Sequence, residues 1–227
     1  GACALASLFA GASVVAAPGM DAGRFFHWSD AHRATWYSAT PTVHLKLAAA
    51  AEEAALARRA PAQRQHTLRL ARNCSAALLP SVAERLEAAL GVTALATYAM
   101  TESLPIASNS PAERVLETVG PSSGPQIAVA RPDGAPGRSR LGVLCRVGEE
   151  GEVLVRGPCV VSGYEARRGE DPNSSSFYEA LDGASAAGGE WLRTGDRGRI
   201  NACGHLELCG RFKEIINRAG EKISPLA

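Results

Sequence analysis

Tyr98-Ala99-Met100-Thr101-Glu102 follows directly on an apolar run over residues 92–97. The run reads as a strand, so the pentapeptide puts an aromatic ring, a hydroxyl and a carboxylate at a strand end. In an open α/β sheet that end is where ligands bind. A ring can stack on a nucleobase, a hydroxyl can reach a phosphate, and a carboxylate can hold Mg²⁺ beside that phosphate. Taken alone, the pentapeptide is also compatible with a strand that simply ends in a turn.

The sequence before it supports the sheet. Residues 3–10 read as a short buried helix and residues 12–17 as a buried strand closed by Pro18-Gly19. Asp21 is placed to cap a helix running to about Arg33, with Phe25, Phe26 and Trp28 inward. Residues 35–38 are rich in β-favouring side chains. Thr40-Pro41 then opens a helix to about Arg59, proline being suited to a first helical position. Residues 67–72 form the next strand candidate, followed by the small-residue stretch 73–78. Ser81 and Glu84 have the spacing of a capping box. Val82, Leu86 and Leu90 fall on one helical face, and Gly91 supplies the stop. Alternating helices and strands imply a parallel, helix-covered sheet, an α/β fold.

Beyond residue 110 the character changes. Glycine and proline become frequent, and short β-like runs appear at 126–130, 141–145, 152–156 and 160–164. Residues 174–190 contain a polar, Gly/Ala-rich loop at 182–189. Residues 197–201 and 205–209 read as a hairpin around 202–204, and Ile215-Ile216 as a strand before a turn at Ala219-Gly220. The division expected is therefore 1–110 as a partial α/β subdomain, 111–210 as a β-rich subdomain, and 211–227 as a closing piece.

Composition bounds the function. The 227 residues are 46% hydrophobic, enough for a real core. Twenty-four basic and 23 acidic residues leave a net charge of +1 with no long run of either sign. That argues against nucleic acid or an anionic membrane as the main partner. The apolar first twenty residues lack a basic leader and are broken by glycines, so they resemble neither a signal peptide nor a membrane span. Six scattered cysteines without a C-x-x-C pair read as reduced thiols, which points to an intracellular, cytoplasmic setting. A peroxisomal one is compatible, although Pro225-Leu226-Ala227 is not the peroxisomal address. The chain begins without Met and both ends fall inside patterned sequence, so it reads as a fragment of a longer protein.

Other constellations carry less. Cys203, His205, Glu207 and Cys209 share one strand face, but no second ligand pair flanks them at zinc spacing. Gly120-Pro121-Ser122-Ser123-Gly124 matches G-x-S-x-G, yet Pro125 follows where a helix would be needed, so a loop is expected. The remaining histidines are single. Neither glycine-rich stretch is followed by Lys-Ser or Lys-Thr, so neither is a Walker-type loop.

Three blocks in order complete the reading: Tyr98 to Glu102, then Trp191-Leu192-Arg193-Thr194-Gly195-Asp196, then Gly210-Arg211-Phe212-Lys213-Glu214-Ile215-Ile216. Together they resemble the AMP-binding acyl-CoA synthetases, the acyl-adenylate-forming superfamily. Glu214 to Pro225, together with Trp36 to Thr42, leans toward the oxalate–CoA ligase-like members. The resemblance implies the second half of the large N-terminal domain of such an enzyme, a layered helix-covered sheet followed by a β-rich subdomain. It implies that Tyr98 stacks on adenine, Thr101 bonds the α-phosphate and Glu102 holds Mg²⁺, which makes Thr101 and Glu102 the catalytic pair. Cys74 to Leu78, Ser75 and Ala76 above all, would line the adenine and acyl pockets. Asp196 would accept both ribose hydroxyls, as two carboxylate oxygens suit a vicinal diol, and Arg211 would contact the same ribose. Lys213 would be the hinge, and 211–227 the hinge segment with the start of a truncated C-terminal domain. Gly151 to Pro158 and Gly163-Tyr164 match a block that is mainly structural.

The implied activity is ATP-dependent ligation of a small carboxylic acid to coenzyme A through an acyl-AMP. The family's phosphate loop and the lysine of its C-terminal domain are not in this sequence, so the isolated chain is expected not to make adenylate. An adenylation domain that loads a carrier protein, and a non-catalytic nucleotide-binding remnant, are the alternatives.

Overall fold

A computed structural model of the chain describes residues 2–17, 19–58, 66–132, 141–166, 172–178, 180–182, 189–212, 216–218 and 221–223. The expected hinge Lys213, the turn at Ala219-Gly220 and most of the 182–189 loop lie outside these residues. The chain divides into two compact units, Gly1–Thr97 with Asn109–Glu117, and Tyr98–Ser108 with Thr118–Ala227.

The first unit is α/β. Its elements are α1 (Ala2–Phe9), α2 (Ala22–Ala31), β1 (Trp36–Ala39), α3 (Pro41–Arg58), β2 (Leu70–Asn73), α4 (Pro80–Leu90) and β3 (Thr93–Leu95). The strands form one parallel sheet in the order β1-β2-β3, with Trp36 opposite Leu70 and Leu70 opposite Thr93. Asp21 caps α2 by accepting from the Arg24 amide at 2.8 Å. Pro41 opens α3, and the Thr40 carbonyl takes the first amides, from Val43 and His44. Gly91 ends α4 at φ 63°, a left-handed conformation glycine adopts without a Cβ clash. The core gathers Leu47, Leu68, Leu86, Leu90 and Val92, with Phe25, Phe26 and Tyr37 packed on it.

Several expectations are corrected here. The segment 3–10 is a helix but not a buried one: Leu5, Leu8 and Phe9 are 56%, 57% and 89% exposed. Residues 12–17 form no strand, and Val14 and Val15 face solvent; an apolar run without a ladder partner has nowhere to send its backbone hydrogen bonds. The Ser81/Glu84 capping box is not made. Pro80 takes the first helical position, so Leu79 is the cap residue and Ser81 already lies inside the first turn. The buried face of α4 is Ala83, Leu86 and Leu90, with Val82 only half-buried.

The second unit is β-rich. It contains β4 (Thr97–Met100, from Tyr98 onward), β5 (Leu104–Ser108), β6 (Gln126–Pro132), β7 (Leu141–Leu144), β8 (Gly151–Arg156), α5 (Asn173–Ser176), β9 (Phe177–Tyr178), β10 (Ala180–Asp182), β11 (Trp191–Ile200), β12 (Leu206–Arg211), β13 (Ile216–Arg218) and β14 (Glu221–Ile223). The main sheet runs β10-β7-β6-β8-β11-β12, with β9 added to β11, while β4-β5 and β13-β14 are separate pairs. The central strand β8 is buried along its whole length. Its alternation sends Val153 and Val155 to one core with Val129, Leu192 and Leu206, and Leu154 to another with Tyr178 and Trp191. Gly151 is needed where β8 starts, because a Cβ there would meet the Ala130 carbonyl oxygen at 2.7 Å and Cys145 Sγ at 2.8 Å.

The β2–β3 ladder stops at Leu95, so Tyr98 does not end that strand. It sits on β4, paired with β5, and its ring joins Ile106 and Ala107 in the core of the second unit. Residues 160–164 are a loop, not a strand. Its amides are taken elsewhere, Val161 N–H by the Glu102 carbonyl and Tyr164 N–H by Asn173 Oδ1. The 197–209 hairpin forms as expected.

Candidate functional site

The site is built on an irregularity in β11. Against β8, Arg193 pairs with Leu154 and Arg197 pairs with Glu152. Three residues, Thr194, Gly195 and Asp196, therefore stand opposite Val153 alone. Such a bulge re-aims side chains and leaves ladder groups to be satisfied by other means. Here four of them find new partners. Thr194 Oγ1 donates to the Val153 carbonyl at 2.8 Å and accepts from the Asp196 amide at 3.1 Å. The Gly195 amide donates to Glu152 Oε1 at 3.2 Å, and the Gly195 carbonyl accepts from Phe212. Gly195 has φ 75°, the left-handed region that favours glycine.

The bulge presents Asp196, which is 7% exposed. Its Oδ1 accepts from Arg211 Nε at 2.7 Å, and its Oδ2 accepts from the Tyr98 hydroxyl. Burial pushes the Tyr98 phenol well above its ordinary range, and the Asp196 charge adds to the effect. Asp196, Arg211 and Tyr98, one from each of the three sequence blocks, are thus brought together from three strands.

Beside them lies a cleft of about 650 Å³, within the second unit. Thr101 and Glu102 line it from the β4–β5 turn; Thr194, Gly195 and Arg211 line it from β11 and β12. Tyr164 closes another side, donating its hydroxyl to Glu102 Oε1 at 3.0 Å. Partial burial and this bond raise the Tyr164 phenol above its usual value. The turn holding Glu102 is conformationally unusual, since Leu104 after it has φ 57°, a region uncommon for a non-glycine residue. The buried Ser103 hydroxyl has no hydrogen-bond partner among the described residues.

Two lining residues carried no role in the sequence reading. Glu152, with a side chain 6% exposed, accepts from Arg193 Nε at 3.0 Å and Nη2 at 2.8 Å on one oxygen, and from Gly195 on the other. Arg193 in turn donates to the Ser175 carbonyl and lies 4.7 Å over the Tyr178 ring. The signal was present in Gly151-Glu152-Val153, a charge directly before the apolar run of a buried strand.

Ser75 and Ala76 belong to the first unit, in the exposed loop after β2, with Ser75 at φ 70°. Asn73 bridges that loop by donating to the Ala76 carbonyl at 2.7 Å. Gly120 to Gly124 is a loop whose Ser122 hydroxyl bonds the Pro125 carbonyl. Among the described residues no three His, Cys, Asp or Glu side chains gather as a metal site, and no helix is long and apolar enough to cross a membrane. No disulfide joins the six cysteines.

Comparison with known proteins gives a consistent set of likenesses. The sequence model of a family described as AMP-binding enzyme matches residues 1–165. An oxalate–CoA ligase of Arabidopsis thaliana is 37% identical over 235 residues, 98% of this chain and 39% of that protein. ATP-bound MatB from Rhodopseudomonas palustris overlays with a TM-score of 0.75 at 27% identity, covering 98% of this chain and 39% of that one. The O-succinylbenzoate coenzyme A synthetase of Bacillus subtilis, in complex with ATP and magnesium ion, overlays at 0.73 with 25% identity, covering 98% and 41%. The chain spans about two fifths of the length of the relatives it matches.

Proposed function

The chain belongs to the AMP-binding enzyme family, and on that premise we propose that the protein of which it forms part is an ATP-dependent acid–CoA ligase. A small carboxylic acid attacks the α-phosphorus of ATP and releases pyrophosphate. The thiol of coenzyme A then attacks the acyl carbon of the acyl-AMP and releases AMP. Little of this needs covalent chemistry from the protein; positioning and charge stabilisation do most of the work.

The observation that carries the reading is Asp196, held forward on a three-residue bulge between Tyr98 and Arg211 at the edge of the cleft. Its two oxygens suit the vicinal hydroxyls of a ribose. The Tyr98 ring is packed in the core and does not line the cleft, so its role is given to its hydroxyl, which holds the Asp196 carboxylate in place, rather than to stacking on adenine. Arg211 supports the ribose from β12. Thr101 offers its hydroxyl to the α-phosphate.

Glu102 is the residue that would hold Mg²⁺. A single hard-oxygen donor beside a phosphate position fits this ion, which takes most of its ligands from phosphate and water. Bound there, the ion offsets charge on the phosphates. The acid is read as small, of the oxalate type, from the ligase relative's name.

The test is pyrophosphate release by the whole protein against a panel of small mono- and dicarboxylic acids, with and without coenzyme A. Acid-dependent release with formation of the thioester supports the ligase. No release with any acid overturns it.

A further inference from the structure

Glu152 is a buried carboxylate near the start of β8, between Gly151 and the apolar Val153-Leu154-Val155 run. A buried ion pair is weak as a stabiliser, since the desolvation of both charges offsets most of their attraction. An apolar residue would serve β8 as well. The partners of Glu152 indicate a different use. Oε1 receives the Gly195 amide, the donor that the bulge removes from the β8–β11 ladder. Oε2 receives Arg193 through two nitrogens, and Arg193 is itself fixed by the Ser175 carbonyl and the Tyr178 ring. Arg193 is the last residue in register before the bulge, and Glu152 faces Arg197, the first in register after it. One carboxylate therefore clamps the start of the bulge and its central glycine.

We propose that Glu152 is a positioning residue for the nucleotide site: by holding Arg193 and the Gly195 amide it fixes the bulge that aims the Asp196 carboxylate at the ribose hydroxyls. This rests on the reading of Asp196 as the ribose-binding residue. Without Glu152 the Gly195 amide loses its acceptor and Arg193 is left as an unpaired charge. The loop between Leu192 and Arg197 then samples other paths, and Asp196 is no longer held forward. Glutamine in place of Glu152 keeps one oxygen, which can serve Gly195 or Arg193 but not both.

The readout is ribose discrimination. Affinities of the whole protein for AMP and for 2′,3′-dideoxy-AMP are measured by calorimetry for wild type, Glu152→Gln and Glu152→Ala. In the wild type AMP binds more tightly by about tenfold or more, the worth of at least one charge-assisted hydrogen bond. In Glu152→Ala that ratio falls about fivefold or more while dideoxy-AMP binding is nearly unchanged, and Glu152→Gln lies between. The isosteric glutamine variant carries the test if the alanine variant fails to fold. Equal weakening of both nucleotides, or a retained ratio, overturns the positioning role. A wild-type protein that binds neither nucleotide, or binds both alike, overturns the ribose reading of Asp196 and this proposal with it.

Discussion

Asp196 and Arg211 face each other in register across the β11–β12 ladder and are joined by a 2.7 Å bond from Arg211 Nε to Asp196 Oδ1. The pair is asymmetric: the Asp196 side chain is 10% exposed and that of Arg211 59%. The carboxylate is the fixed member and the guanidinium the one that can move.

That asymmetry ranks two substitutions. Asp196→Ala removes the acceptor of both Tyr98 and Arg211, and AMP affinity of the whole protein should drop by about ten- to a hundredfold. Arg211→Ala, at an exposed position, should cost less than Asp196→Ala. Titration calorimetry with AMP checks both, and equal affinities for wild type and Asp196→Ala would remove Asp196 from the site.

Glu102 receives the Tyr164 hydroxyl at 3.0 Å. If Glu102 holds Mg²⁺, then Glu102→Gln should abolish the strengthening of ATP binding by Mg²⁺ while leaving metal-free AMP binding nearly intact. Tyr164→Phe should reduce the same Mg²⁺ effect in part, since it only orients the carboxylate. The measurement is ATP affinity with Mg²⁺ and with EDTA. An undiminished Mg²⁺ effect in Glu102→Gln assigns the metal elsewhere.

His44 is fully buried in the first unit, with Nδ1 3.1 Å from the Tyr37 hydroxyl. Burial lowers its pKa from 6.5 to about 4. Between these values the unfolded chain binds a proton that the folded chain does not, so stability must fall as pH drops from 6.5 toward 4. The shift corresponds to about 3 kcal/mol once fully expressed. Urea midpoints measured from pH 7 to pH 4 should show the fall, and His44→Leu should flatten it. An unchanged slope in the variant would place the acid sensitivity on other groups.

Packing sets two stability changes. Gly151→Ala drives a methyl group into the Ala130 carbonyl and Cys145 Sγ, and should cost about 1–3 kcal/mol. Leu86→Ala empties a fully buried position in the first core and should cost about 2–5 kcal/mol. Chemical denaturation checks both; a neutral Gly151→Ala would mean that β8 can shift at its start.

Local signals reported local structure well. Asp21, Thr40-Pro41 and Gly91 mark helix boundaries because capping, proline geometry and left-handed glycine act within a few residues. The hairpin around residues 202–204 was legible for the same reason. Hydrophobicity misled where it stood alone. Residues 3–17 look like core by composition, yet Phe9, Val14 and Val15 are exposed. The apolar run ending at Tyr98 hides a break after Leu95, since only pairing with β2 or β5 tells where one ladder stops and the next begins.

The sequence by itself determined the family and singled out Tyr98, Glu102, Asp196 and Arg211 as candidate site residues, since ordered blocks of side chains are legible without coordinates. Only the tertiary structure decided that Thr194 to Asp196 bow out of a ladder opposite one residue, and that Glu152 supplies the acceptor this costs the backbone. A bulge is a mismatch of register between two strands forty residues apart in sequence, as Arg193 and Leu154 are about that far apart. No pattern within either strand records it, because register is fixed by the pairing of one strand with another.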